Sequence, residues 1–492
     1  MITIERLAVE HYESGLGIDT PRPRLSWRFN SDPQDERDKD WEQAAYELEI
    51  VDQDHLQAQT SAKVDDANSS QTHHVVSSQS VLVPWPAAAS TLDSRSRRTV
   101  RVRAQSTLEV WTPWSEPLLL ETGLLKREDW LVPFITGPPQ PKGENKRPFY
   151  FRARFLSPSA ASRARLYITA RGVYEAHLNG APVSDHVLAP GWQSYSHRLA
   201  YQTFDVTHLL DSNVGAENTI GVILGEGWYS GRLGYRGGIH DIWGDRMAVL
   251  VQLEIDGKPV KFEEDWTWSY GPILSSGIYD GEVYDSSLVD PQWSTSSLNF
   301  TEHQKTGGDR WLPVEPLPFD GPLPSTPQSP PIRRTQEIKP IEIITTPSGQ
   351  TVLDMGQNMV GWLRWNTSGP SIDLDSSPTH EVTLQHAEVL EFGELGTRPL
   401  RHAAATETVR LSAGVPMQGY EPKFTFHGFR YVQVTGWPGL TLDDLTGIVV
   451  HTDMERLGEF SCSHSWLNRL HDNVVWGMRG NFLSVPTDCP QR

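Results

Sequence analysis

Apolar and polar residues alternate with period 2 through most of the chain, then switch to a helical period near its end. Leu25-Ser-Trp-Arg-Phe29, Ala45-Tyr-Glu-Leu-Glu-Ile-Val51 and Val100-Arg-Val-Arg-Ala104 put apolar and polar side chains on opposite faces, as half-buried strands do. Tyr150-Phe-Arg-Ala-Arg-Phe155, Ala164-Arg-Leu-Tyr-Ile168 and Thr219-Ile-Gly-Val-Ile-Leu224 predict a second group of strands. Gln350-Thr-Val-Leu353, Gly361-Trp-Leu-Arg-Trp365 and Phe429-Arg-Tyr-Val-Gln-Val434 predict a third. After Glu455 the pattern changes. Trp466, Leu467, Leu470, Val474, Val475, Met478 and Phe482 recur at helical spacing, which predicts an amphipathic helix over 463–482 with Ser463 or Ser465 as N-cap. Burying that stripe would contribute on the order of 10 kcal/mol. No further helix follows to cover it, so the chain reads as the front of something larger. The helix is expected to be poorly ordered, to lie against the preceding domain, or to drive self-association.

Polar and proline-rich stretches separate these groups. Residues 32–40 and 66–74 read as polar loops. The run 126–147, with Pro133, Pro138, Pro139, Pro141 and Gly143, reads as a linker. The Pro-dense stretch from Pro313 to Pro331 cannot hold a central strand or a helix. The expected organisation is a β-sandwich over 1–125, the linker 126–147, a second sandwich over 148–320 and a Pro-rich linker over 321–331. A third sandwich over 332–452 and a helical segment over 453–492 complete it. Eighteen Trp beside 39 Gly and 36 Pro suit strands joined by turns, and Trp is a ready stacking platform for sugar rings.

Charge and thiols narrow the partners. A net charge of −19 repels polyanions, so nucleic acid is not expected, while neutral glycosides are indifferent to it. Cys462 and Cys489 are too few for a disulfide framework. Neither an apolar leader in Met-Ile-Thr-Ile-Glu-Arg nor a run of about 20 apolar residues is present, so a soluble cytoplasmic protein without a membrane partner is expected.

Several strings are more specific. Gly458-Glu-Phe-Ser-Cys-Ser463, Leu467-Asn-Arg-Leu470, Asn481 and Val485-Pro-Thr-Asp-Cys-Pro-Gln-Arg492 resemble the opening of the catalytic domain in α-L-rhamnosidases of glycoside hydrolase family 78. Gly17-Ile-Asp19 followed by Pro21–Trp27 resembles that family's N-terminal immunoglobulin or fibronectin type III-like sandwich. Gly172-Val-Tyr-Glu-Ala-His-Leu-Asn-Gly180, Leu188-Ala-Pro-Gly-Trp192 with Tyr201-Gln-Thr-Phe-Asp-Val-Thr207, Gly225-Glu-Gly-Trp-Tyr-Ser-Gly-Arg232 and Tyr279-Asp-Gly-Glu-Val-Tyr-Asp285 are similar to its carbohydrate-binding-type jelly roll. Asp354-Met-Gly-Gln-Asn358, His386-Ala-Glu-Val-Leu390 and Phe426-His-Gly-Phe-Arg-Tyr431 resemble its concanavalin-like sandwich. The resemblance extends over essentially the whole chain. It implies a mainly β chain of three sandwiches followed by the first helix of an (α/α)6 barrel. It also implies inverting hydrolysis of terminal non-reducing α-L-rhamnose from rhamnosylated glycosides or oligosaccharides.

Glycoside hydrolysis needs two carboxyl groups, one to protonate the leaving oxygen and one to activate water. The resemblance places the acid just past Arg492 and the base further on, so no catalytic residue is expected in this chain and it is expected to be inactive alone. The alternative reading is a non-catalytic carbohydrate-binding β-sandwich protein that takes rhamnose through the 148–320 jelly roll. Asp488, with Arg492 as an ion-pair neighbour, matches the motif whose implied role is to hydrogen-bond rhamnose hydroxyls or orient the acid. A plain Asx-turn at Asp488 is the alternative. Asp280 and Glu282 would share one face of a strand, where they could hold a hard cation such as calcium or bind sugar hydroxyls, or could be edge carboxylates paired with arginines. Asn179, Asp185, Trp192 and Trp228 are further sugar-site candidates. Pairs such as His386 with Glu388, or His427 with Arg430, read as packing. There is no HExxH, no CxxC pair, no phosphate loop and no nucleophile elbow. The resemblance implies hydrolytic chemistry that requires no cofactor.

Overall fold

The computed structural model describes residues 2–12, 14–31, 38–53, 70–158, 162–234, 237–262, 265–295, 311–372 and 380–490. Strands dominate them. The chain forms two compact units: Met1–Leu131 with Tyr201–Phe204 and Leu323–Ser329, and Val132–Ala200 with Asp205–Pro322 and Pro330–Arg492.

In the first unit, Leu16–Ile18, Leu118–Thr122, Arg97–Ser106, Gln43–Asp52 and Ser70–Val76 make a five-stranded sheet, and Thr3–Val9 pairs with Leu25–Asn30. Period 2 decides its faces. Tyr46, Leu48 and Ile50 turn inward with Val100 and Val102 onto Trp27, and the register sets Leu48 opposite Val102. The outward residues pair by charge: Arg103 reaches Glu47 at 2.6 Å, and Arg101 bonds Glu49. The indole of Trp27 donates to Gln43 Oε1 at 3.0 Å, so its buried N–H is satisfied. Residues 70–74, expected as loop, belong to the strand Ser70–Val76, because pairing with Gln43–Asp52 outweighs their polarity. Residues 66–69 and 32–37 lie outside the described residues.

The second unit contains a sheet in the order Ala181–Pro182, Val173–Leu178, Glu217–Gly225, Phe149–Leu156, Thr267–Tyr270 and Leu312–Pro313. Another runs Ala164–Arg171, Ala248–Ile255, Phe134–Thr136 and Glu315–Leu317. Phe134–Thr136 lies in the stretch expected as a linker, and Lys146 there is fully buried, 3.0 Å from Asp241. Apolar Phe134-Ile135 between prolines is enough for a strand. The Pro-containing strands Leu312–Pro313 and Glu315–Leu317 sit at sheet edges, where a missing N–H costs nothing. Leu323–Ser329, expected as part of a linker, packs in the first unit, where Thr326 N–H donates to Asp19 at 3.1 Å.

A nine-stranded sheet carries the rest of this unit. Its order is Ile273–Gly277, Gly281–Asp285, Thr406–Leu411, His380–Ala387, His427–Thr435, Thr351–Trp365, Leu445–Thr452 and Ile332–Ile338, with Glu342–Thr345 added on Thr351–Trp365. The first two strands form a hairpin from the 148–320 stretch, yet Val283 pairs with Thr408 in parallel. The helix Ser465–Gly480 follows. His464 is its N-cap and gives no side-chain bond, so neither Ser463 nor Ser465 caps it. Trp476 packs on the core of the nine-stranded sheet, while Trp466, Leu470 and Val474 are exposed.

Candidate functional site

One face of the sheet that holds Val173–Leu178 builds a cleft. Glu175, Ile223, Tyr150 and Ser269 are cross-strand partners in one line across four strands, so alternation points all four to the same side. One step along, His177 pairs with Gly221. A Cβ on Gly221 would lie 2.5 Å from the Trp293 ring, so glycine lets that indole rest on the sheet. Trp293 meets Tyr150 edge-on at 5.1 Å and His177 at 5.2 Å. With Trp311, Tyr270, Tyr284 and Lys423 these residues enclose about 740 Å³. Aromatic walls with a few fixed polar groups suit a polyol ring.

Two carboxyl groups on this cleft are held in opposite states. Glu175 accepts from Lys423 Nζ at 2.7 Å on both oxygens and lies 2.7 Å from His177 Nε2. Burial opposes its charge, but Lys423 and His177 prevail and keep its pKa well below the usual range. Glu282, fully buried, accepts from Tyr420 O–H at 2.7 Å and from Lys423 N–H at 2.8 Å. Desolvation lifts its pKa from 4.5 to about 8.

Of the described residues proposed from the sequence as site candidates, only Glu282 borders this cleft. Asp280 diverges from it, ion-paired with Arg232 and accepting from Asn145 Nδ2 at 3.0 Å. A cation at Asp280 would have to displace that guanidinium. Asn179 sits in a turn with φ of 53°, donating to Asn218 at 2.7 Å and accepting from Thr219 N–H at 2.9 Å. Asp185 is exposed and bonds Arg333 at 2.9 Å. Trp228 is 5% exposed and packs near Phe426, while Trp192 packs on the same core and donates its backbone N–H to Ser484. Asp488 is exposed beside Cys489, and Arg492 lies outside the described residues. Sequence reasoning passed over Glu175, His177 and Lys423. The signal was there: two polar residues at i and i+2 on an otherwise apolar strand.

A second polar cluster is buried in the nine-stranded sheet. His386, Glu407 and His427 come from three neighbouring strands and are each at most 1% exposed. Glu407 Oε1 lies 2.5 Å from His427 Nε2, and its Oε2 lies 3.2 Å from His386 Nδ1. Burial drives His386 down to about 4. It also opposes ionisation of Glu407, which the two imidazoles nonetheless keep below its ordinary range.

Comparison with known proteins agrees with this architecture along the whole chain. Residues 4–126 match the Rha78A-like N-terminal immunoglobulin domain and 159–336 the α-L-rhamnosidase N-terminal domain. Residues 344–451 match the bacterial α-L-rhamnosidase concanavalin-like domain, and 455–492 the bacterial α-L-rhamnosidase 6 hairpin glycosidase domain. The structure of native α-L-rhamnosidase from Aspergillus terreus aligns with a TM-score of 0.87 at 44% identity, covering 100% of this chain and 54% of that one. That of the Streptomyces avermitilis α-L-rhamnosidase complexed with L-rhamnose aligns at 0.82 and 28% identity, covering 100% and 61%. An α-L-rhamnosidase from Alteromonas sp. is 30% identical over 499 residues, 98% of this chain and 51% of its own length. A mainly β chain with an aromatic cleft, aligned over its whole length with about half of each such enzyme, places the chain in a family of multidomain glycoside hydrolases. It belongs to the α-L-rhamnosidases of glycoside hydrolase family 78. The chain spans between 31% and 52% of the length of the curated relatives it matches.

Proposed function

We propose that this chain is the β-sandwich part of an inverting α-L-rhamnosidase that releases terminal non-reducing α-L-rhamnose from glycosides. The observation that carries this is the ordered match of four rhamnosidase domains along the chain, supported by the alignment of the whole chain with 54% of the Aspergillus terreus enzyme. On this reading Ser465–Gly480 is the first helix of an (α/α)6 barrel. The acid and base then belong to residues outside these 492, and Asp488 with Arg492 reaches the rhamnose hydroxyls. Each missing proton-transfer group removes about 10²–10⁴-fold in rate. The 492-residue chain is therefore expected to leave p-nitrophenyl α-L-rhamnoside intact, and turnover at the pace of a full-length relative would overturn the reading.

The cleft of Trp293, Trp311 and Tyr150 holds a sugar ring of the substrate by stacking, and Glu175 and Lys423 meet its hydroxyls. Calcium in the 148–320 region would aid such binding through sugar and carboxylate oxygens. Titration with L-rhamnose, with and without calcium, tests both statements. Trp293→Ala should abolish the heat, and an unchanged isotherm would remove the cleft from the binding site.

A further inference from the structure

His386, Glu407 and His427 do not border the cleft and take no part in the proposed hydrolysis. Their arrangement is nonetheless specific. Strands Thr406–Leu411, His380–Ala387 and His427–Thr435 lie side by side, and each delivers one of the three side chains to the same buried place. One nitrogen or oxygen from each residue falls within 4.8 Å of the others. The fourth edge of the cluster is a backbone carbonyl: Ala405 O lies 3.1 Å from His386 Nδ1.

Glu407 is a carboxylate taken almost wholly out of water, a costly state unless a cation or a full set of donors meets it. Among the described residues its ion-pair partners are the two imidazoles, with no Lys or Arg. Its Oε2 has no hydrogen-bond partner, although His386 Nδ1 is 3.2 Å away, because that nitrogen is directed at Ala405 O. An acceptor left in this way is expensive to bury. A cation between Oε2 and Nδ1 removes the deficit. Four ligands arranged tetrahedrally about an ion at about 2.1 Å stand roughly 3.4 Å apart. The 3.1 and 3.2 Å separations are close to that edge, and the 2.5 Å contact between Glu407 and His427 has to open.

We propose that His386, Glu407, His427 and the Ala405 carbonyl form a structural site for a divalent first-row transition ion, zinc above all. Two imidazoles with oxygen donors suit borderline ions, whereas calcium and magnesium prefer all-oxygen shells. The site closes over four protein ligands, leaves no open position for substrate, and clips together three strands of the sheet.

The test is metal analysis of the 492-residue chain produced in zinc-supplemented and, separately, cobalt-supplemented medium. About one zinc per chain should survive gel filtration, and stripping it during refolding with a chelator should lower Tm by several degrees. The cobalt form should show the visible d–d absorption of a four-coordinate N/O site. Glu407→Gln should lose the metal while keeping its β-sheet circular dichroism. Should that variant fail to fold, the cobalt spectrum and the metal-dependent Tm of the wild type decide alone. Background zinc content with no metal-dependent Tm would leave a hydrogen-bonded His–Glu–His core and overturn the proposal. So would undiminished metal in Glu407→Gln, or a cobalt–thiolate charge-transfer band, which would put the ion on Cys462 or Cys489.

Discussion

Replacing Glu282 with Gln probes how a buried acid tunes this fold. Glu282 is fully buried, and its two oxygens accept from Tyr420 O–H and Lys423 N–H. An amide keeps both contacts, its carbonyl accepting from Lys423 and its NH2 donating to the Tyr420 oxygen. Only the ability to ionise is lost. Burial raises the carboxyl from 4.5 to about 8, which at about 1.4 kcal/mol per unit corresponds to roughly 5 kcal/mol in full. A folded-state pKa above the unfolded one means that the native protein holds the proton more tightly. The stabilisation is therefore complete below about pH 4.5 and is lost as pH rises to about 8. Between about pH 5 and pH 8 wild-type stability should fall by roughly 3 kcal/mol relative to Glu282→Gln, allowing for some relaxation around the charge. Urea unfolding of both proteins, followed by Trp fluorescence across that range, measures the divergence. Equal pH slopes for the two would refute the reasoning, since the carboxyl would then titrate alike in both states.

Lys423→Met should cost about 1–2 kcal/mol at neutral pH by leaving the half-buried Glu175 without its ammonium, and Glu175→Gln in the same chain should recover most of it; chemical denaturation of the three variants checks this. Gly221→Ala should push Trp293 off the sheet and weaken rhamnose binding at least tenfold, read by calorimetry. Gly361→Ala meets Ile448 O at 1.8 Å from a backbone with φ of 151°, so soluble yield should collapse. Leu470→Asp and Val474→Asp should suppress any self-association of the chain in sedimentation velocity, while Trp476, which packs on the sheet core, should not tolerate the same change.

Much of the strand content was legible because local alternation and burial agree. The period-2 run Ala45–Val51 becomes Gln43–Asp52, with Tyr46, Leu48 and Ile50 buried, and Val100–Ala104 becomes the centre of Arg97–Ser106. Polar Ser70–Val76 escaped notice because a partner strand, rather than its own residues, makes it a strand. The cleft was barely visible. Glu282 was noticed, but Asp280 beside it joins a different set of partners, and Trp228 and Trp192 went to the core.

Alternation, turn residues and a late helical period thus determine a mainly β chain with a terminal helix, and the motif strings determine its family. Which residues meet was decided only by tertiary structure. The hairpin Ile273–Asp285 leaves its sequence neighbours to pair with Thr406–Leu411, and that crossing sets Glu282 against Tyr420 and Lys423. His386, Glu407 and His427 likewise converge only through strand order. The physical reason is range: side-chain periodicity records which face a residue shows, while the neighbour it meets there depends on hydrogen-bonded pairings between segments separated along the chain, by 20 residues for Glu407 and His427 and by 138 for Glu282 and Tyr420.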